Sequence, residues 1–270
     1  MPTARTSSSL TGYFVLSYLL FWLLLGVTGF LIYLKVPEPL VAVMKNVCAW
    51  APTFALAILF RRLNPGTGWK DFLRAQVSER PRTGLFLGVL AAQAGILVLA
   101  RAAHAALGGQ PIGAWTLPAP AALASSFVVN LTSGPLGEEL GWRGFALPRL
   151  RRTRSVTASG LILGLVWGFW HLPLWLMSGF SGPDLLRYVL TFLAAIVSVS
   201  VLIAHALERN RNILLAVWIH FWFNFLVQLA GIEVLPLMSY LAVGYGLAAL
   251  LFGSVTKLVP KQSRVEETSG

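Results

Sequence analysis

Charge is scarce in this 270-residue chain. Only 11% of its residues are Asp, Glu, Lys or Arg, against about a quarter in soluble domains. With 56% hydrophobic residues and a mean hydropathy of +0.72, that scarcity excludes an ordinary soluble globule and leaves a polytopic helical membrane protein. Acidic residues are the rarer sign, 10 against 21 basic. The resulting +11 would suggest a nucleic-acid partner in a soluble protein. Here the basic residues gather in short loops between apolar runs, so nucleic acid is set aside and the lipid bilayer is the expected partner. Cysteine occurs once, as Cys48 in an apolar stretch, which excludes an internal disulfide and any Cys-based zinc site. It reads as a small buried hydrophobe. Internal repeats and low-complexity segments are absent, so a single membrane domain over 1–270 is the simplest organisation. The opening MPTARTSSSLTG has no A-x-A-like cleavage site and leads into a long apolar run, so a retained first span is expected. The closing KQSRVEETSG, 261–270, is expected to be a disordered tail.

What is present is a series of apolar runs. They predict an all-α fold, a polytopic transmembrane helical bundle of about eight spans, each near the roughly 20 residues a bilayer needs. The expected spans are 13–34, 39–60, 84–107, 122–147, 157–177, 185–207, 212–231 and 235–256. Most basic residues fall in 61–83, 143–154, 208–211 and the two ends. With eight spans these regions share one side, which the positive-inside rule makes cytoplasmic, so both termini are cytoplasmic. The opposite loop at 108–118 carries no charge, and Trp115 within it fits an interfacial anchor. An integral protein of the bacterial plasma membrane is expected. The segment Gly68–Gln76, GWKDFLRAQ, reads either as an amphipathic helix on the inner leaflet or as a plain basic connector.

Three apolar stretches nevertheless hold polar groups: Glu138, Glu139 and Arg143 in GEELGWRG, His171 in WGFWHLPLW, and His220 with Asn224 in VWIHFWFNFL. Ionisable residues at membrane depth cost about 2.5–3.5 kcal/mol each by insertion scales and mark functional sites. If the fourth span is helical to Leu147, Glu138 lies roughly 14 Å from its cytoplasmic end at 1.5 Å per residue. By the same rise His171, His220 and Asn224 lie at roughly 21, 12 and 18 Å, so one cavity in the inner half of the bilayer, within a catalytic core of about 122–231, can hold them all.

Neighbouring helical residues point about 100° apart, so Glu138 and Glu139 cannot share a face. Glu139 and Arg143 are i, i+4 with the acid first, the favourable order for a helical ion pair. Glu138 is left to face a cavity as the general base that activates water, with Glu139–Arg143 as supporting ion pair. The alternative is that all three form a packing salt bridge. His220 and Asn224, also i, i+4, lie on one face and suit an oxyanion site, though an interhelical hydrogen bond fits either residue equally well. His171 is expected to share the water with Glu138 or to shuttle its proton; as a lone histidine it would be a packing donor. His104 and His205 lie near span ends and are expected to be solvated. Trp142, Trp167, Trp170, Trp218 and Trp222 flank the polar set and read first as packing residues. The Asn130 sequon is discounted because it falls within a span.

These residues resemble the CAAX-prenyl-protease and bacteriocin-processing (CPBP, or Abi) family of intramembrane endopeptidases. That family shows Glu-Glu-x-x-x-Arg, Phe-x-x-x-His and His-x-x-x-Asn on successive helices. Glu138-Glu139-Leu140-Gly141-Trp142-Arg143 matches the first and His220-Phe221-Trp222-Phe223-Asn224 the third. The second departs: His171 is present, but Trp167 stands where the family has Phe. The resemblance covers roughly 125–225. It implies that Glu138 and His171 activate water and that His220 and Asn224 form the oxyanion site. Members are commonly labelled metalloproteases, yet the chain has no His-Glu-x-x-His and no compact ligand spacing. A metal-free glutamate mechanism without a cofactor is therefore preferred, with a zinc site of Glu138, His171 and His220 as the alternative.

The expected function is hydrolysis of a peptide bond in a membrane-associated or lipidated polypeptide. A non-enzymatic membrane scaffold or bacteriocin-immunity protein is the main competitor. A proton-coupled transporter suits the buried charges, but the paired broken helices and repeats of many transporters are missing.

Overall fold

The computed structural model describes residues 3–112 and 117–258; Trp115 and the expected tail at 261–270 lie outside the described residues. Every regular element among the described residues is helical. In chain order they are α1 (Thr3–Tyr33), α2 (Glu38–Cys48), α3 (Ala51–Leu63), α4 (Trp69–Gln76), α5 (Thr83–Ala106), α6 (Pro120–Thr132) and α7 (Pro135–Glu139). A π-helical segment (Leu140–Ala146) follows, then α8 (Leu147–Leu150), α9 (Val156–Trp170), α10 (Leu172–Leu176), α11 (Gly182–Arg209), α12 (Ile213–Leu229) and α13 (Val234–Leu258).

All eight expected runs fold as helix, but not all as single spanning helices. By length and composition, α1, α5, α11 and α13 can cross a bilayer. The pair α2–α3 makes a fifth only as one span bent by 53°. Its break has a local cause: Pro52 in the first turn of α3 has no N–H to offer the Cys48 carbonyl, and α2 ends at Cys48. At 15 and 17 residues, α9 and α12 are apolar but shorter.

The uninterrupted helix expected over 122–147 is not observed. α6 stops at Thr132, Gly134 precedes α7, and Pro135 opens it. A Gly-Pro pair is a breaker signal, because proline cannot donate to the helix ladder. Beyond Glu139 the chain widens into the π segment, a form that recurs at functional sites. Pro148 contributes: without an N–H it leaves the Gly144 carbonyl no regular i+4 partner. The span expected over 157–177 also ends early, with His171 at the joint between α9 and α10.

α11 lies between α9 and α13 and forms the most extensive packing in the fold. Two glycines on α9 allow the approach. A Cβ at Gly160 would lie 2.8 Å from Val201 Cα, and one at Gly164 would lie 2.8 Å from Val197 Cα. Small residues four apart are how membrane helices bring their backbones close. The starts of α9 and α12 are capped by side chains: Ser155 accepts from Ala158 N at 3.1 Å, and Asn212 from Leu214 N at 2.9 Å. α4 realises the helical alternative for GWKDFLRAQ. Its Phe72 is buried edge-on against Phe60 at 5.4 Å, and Trp69 meets the same ring at 4.5 Å, which fastens α4 to α3. Cys48 is buried beside the Thr28 hydroxyl.

Candidate active site

Glu138, Glu139, Arg143 and His220 are all buried, and the broken fourth segment delivers the first three of them to α9 and α12. Glu139 Oε1 accepts from Arg143 Nη1 at 2.9 Å and from His220 Nδ1 at 2.7 Å. The Glu139–Arg143 pairing is thus present, and His220 shares the same oxygen. An ionised carboxylate only accepts, so the proton of this contact sits on His220 Nδ1. That leaves Nε2 facing away from Glu139.

Glu138 takes a different partner. Trp167 Nε1 donates to its Oε2 at 2.5 Å. The same indole lies over the Arg143 guanidinium at 4.1 Å and meets the His220 ring at 4.8 Å. Trp167 therefore touches carboxylate, cation and imidazole together. The packing role expected of it misses this N–H; the available signal was an indole four residues before His171, where the family has a ring without a donor.

The groups converge beside Gly134. A Cβ there would lie 3.2 Å from Asn224 Nδ2 and 3.5 Å from both Glu138 Oε1 and His220 Nε2. A carboxylate, an imidazole nitrogen and an amide thus border one small space, as a site for a reacting oxygen requires. His171 stands one step away. Its Nδ1 lies 2.8 Å from the Trp167 carbonyl, which only accepts, so that nitrogen carries the proton and Nε2 the lone pair. The ring packs against Trp170 at 4.9 Å and Phe192 at 5.3 Å. Among the described residues its link to Glu138 runs through Trp167.

Glu138, His171 and His220, the alternative zinc ligands, do not form a three-ligand cluster, nor do any other His, Cys, Asp or Glu side chains among the described residues. The arrangement of these three side chains does not fit a zinc site. Glu139 Oε2 and Arg143 Nε and Nη2 are buried without a hydrogen-bond partner among the described residues.

The remaining histidines divide. His205 is buried and bonded to Thr157 Oγ1 at 3.0 Å, which corrects the expectation of a solvated residue: α11 runs on past it to Arg209, and α9 covers it. His104 is half-buried near the end of α5. Asn130 Nδ2 bonds to the Ser126 carbonyl within α6 and to Gln228 on α12.

Residues 120–226, which contain every group named in this site, match the family model described as Rce1-like, type II CAAX prenyl endopeptidase. Over 100 residues the chain is 31% identical to CAAX prenyl protease 2 of Methanococcus maripaludis, across 35% of this chain and 37% of that protein. The match thus spans little more than a third of that relative's length. Over residues 120–226, where the expected motifs lie, the chain is thus similar to type II CAAX prenyl endopeptidases.

Proposed function

We propose that the chain hydrolyses a peptide bond in a membrane-presented or lipidated polypeptide, with Glu138 as the general base. The observation that carries this reading is the convergence of Glu138 Oε1, His220 Nε2 and Asn224 Nδ2 on the space beside Gly134. Glu138 takes a proton from water as its oxygen attacks the carbonyl carbon, and the carbonyl oxygen becomes the oxyanion. Asn224 donates to that oxyanion through its amide. His220 can donate beside it only as imidazolium, since its Nδ1 is committed to Glu139; the Glu139 carboxylate offsets that charge. The proton held by Glu138 then passes to the leaving amine. His171, with the lone pair on Nε2, would relay that proton through a water. Trp167 orients the Glu138 carboxylate.

The eight-segment topology with both ends cytoplasmic is part of this reading, as is a lipidated substrate, the CAAX prenyl designation of the family being its support. The expectation of a bacterial membrane gains no support from the similar protease, which is archaeal.

The test is cleavage of a prenylated peptide by purified protein in lipid nanodiscs, beside Glu138→Gln and with and without a strong chelator. Removing the base should lower kcat by about 10²-fold or more. Wild-type cleavage that survives chelation, with the variant inactive, supports the glutamate mechanism. Full cleavage by Glu138→Gln refutes it, and loss with chelator revives the zinc alternative.

A further inference from the structure

A cavity of about 590 Å³ lies between α4, the π segment with α8, and the α11–α12 turn. Its size is that of a ligand pocket. Its level in the membrane follows from α11, whose 28 residues are long and apolar enough to cross a bilayer. At 1.5 Å per residue they extend about 42 Å, the thickness of the hydrocarbon and headgroup layers together. Glu208 in the last turn of α11 and Arg211 just beyond it line the cavity, which puts it in the headgroup layer. The charges there do not balance. Glu208 pairs with Arg151 at 3.0 Å, and Asp71, on the α4 side, lies 3.8 Å from Arg74. Arg143 reaches the wall, but its side chain is fully enclosed and pairs with Glu139. The three other lining guanidinium groups, of Arg149, Arg152 and Arg211, make no ion pair among the described residues. Arg149 bonds to neutral acceptors: the Leu63 carbonyl at 2.9 Å, Asn64 Oδ1 at 2.8 Å and the Phe145 carbonyl at 3.1 Å. Arg152 and Arg211 are exposed, and Arg211 meets Glu79 through its backbone N–H at 2.7 Å. Burial first, and the neighbouring Arg152 second, lower the Arg149 pKa from 12.5 to about 10, so Arg149 is still charged at neutral pH and lies beside a like charge.

We propose that this cavity binds the phosphate of an anionic phospholipid headgroup through Arg152, Arg211 and Arg149. The site is independent of the peptide-cleaving reading above and does not require contact with the groups beside Gly134. Guanidinium presents its donors in a fork that matches phosphate oxygens, and an anion among like charges relieves their repulsion. Basic pockets between membrane helices on the cytoplasmic side are where anionic headgroups dock. Free phosphate shares this chemistry, but two observations favour the lipid. The cavity lies at headgroup level, and Leu147, Leu207 and Ile213 line it beside the arginines, offering apolar surface to the first methylenes of the lipid. A headgroup held there bridges α4, α8 and the α11–α12 turn. α4 already abuts the π segment: a Cβ on Gly144 would lie 2.9 Å from Gln76 Oε1. That segment carries the Arg143 that holds Glu139, so the lipid braces the support of the candidate site from outside.

The test is binding of short-chain phosphatidylglycerol to the full-length protein in neutral detergent, read by microscale thermophoresis. Phosphatidylcholine of the same chain length and glycerol phosphate are the comparisons. Wild type is expected to bind phosphatidylglycerol about tenfold or more tighter than phosphatidylcholine, and its melting temperature should rise as the site fills. In R152Q/R211Q the preference should disappear. R61Q/R62Q removes two exposed cations from the end of α3, outside the cavity, and should keep it. If the double variant melts early, R152Q and R211Q alone carry the comparison, each expected to lose about threefold of the preference. Equal binding of the two lipids, or a preference that survives in R152Q/R211Q, overturns the proposal. So does an equal loss in R61Q/R62Q, which would make the effect one of general surface charge. Glycerol phosphate that binds as tightly as phosphatidylglycerol would overturn the lipid and leave a free-phosphate site.

Discussion

Gly134→Ala is the sharpest perturbation the site offers, because it adds one carbon where three polar groups meet. The new methyl would sit 3.2 Å from Asn224 Nδ2 and 3.5 Å from Glu138 Oε1 and His220 Nε2. Two of those contacts are ordinary van der Waals distances and the third needs a shift of a few tenths of an ångström, so the helices can stay in place. The methyl does occupy space that the attacking water or the oxyanion needs. Loss of one oxyanion donor alone costs about 10²–10³ in kcat, or about 2.7–4 kcal/mol. Obstructing the space shared by base and donors should cost at least as much, so kcat is expected to fall about 10²-fold or more. Steady-state cleavage of a prenylated peptide in nanodiscs, with a melting curve on the same sample, makes the test. A variant that melts like wild type and keeps kcat within a factor of about three would refute the placement of chemistry beside Gly134.

Three further outcomes are expected. Trp167→Phe keeps a ring over Arg143 but deletes the donor 2.5 Å from Glu138; hydrogen bonds to charged groups contribute about 1.5–3 kcal/mol, so kcat should fall about tenfold to 150-fold, and an unchanged kcat would deny Trp167 its orienting role. Gly164→Leu drives a side chain into Val197 Cα, 2.8 Å from where its Cβ would start, and should destabilise the α9–α11 contact by about 1–3 kcal/mol or more; an unaltered melting temperature would contradict that packing. Outside the membrane, the Asn210 side chain and the Arg211 N–H hold the Glu79 carboxyl below its ordinary value of 4.5. A lowered acid contributes stability above its unfolded pKa and loses it as pH falls through the folded one. Wild type should therefore lose thermal stability more steeply than Glu79→Gln as pH drops below 4.5, and parallel profiles would count against the contact.

The helical class was legible because apolar runs near 20 residues leave little else in a bilayer. Four of the eight expected runs became helices long enough to cross a membrane. The seventh stays one helix, Ile213–Leu229, and three others are interrupted where local chemistry outweighs hydropathy. Pro52 breaks the second run, Gly134-Pro135 the fourth, and the fifth ends at His171 two residues before Pro173. Each breaker was visible in the sequence, but a window averaged over a whole span weights one proline lightly. The α9–α11 contact was hidden for a different reason: Gly160 and Gly164 matter only once a partner backbone lies against them. His205 was misplaced because distance from a span end measures depth along a helix and not coverage by a neighbour.

Spacing told more about the candidate site, since i, i+4 pairs fix a shared face. It supplied Glu139 with Arg143, and His220 with Asn224, but it could not show how the helices meet. The interhelical contact makes sense of two adjacent acids. Glu139 binds Arg143 on its own segment and His220 on α12 through one oxygen, so it sets the proton on Nδ1 and turns Nε2 toward Gly134. Had the fourth segment stayed a regular helix through 134, nothing in that geometry would have bared a side-chain-free backbone beside those groups. The break at Gly134-Pro135 does so, and it lets Glu138 turn one oxygen to Trp167 and the other to the open space. One acid thus orients an imidazole and, in the proposed mechanism, its neighbour takes the proton, a division of labour that a single carboxylate could not perform.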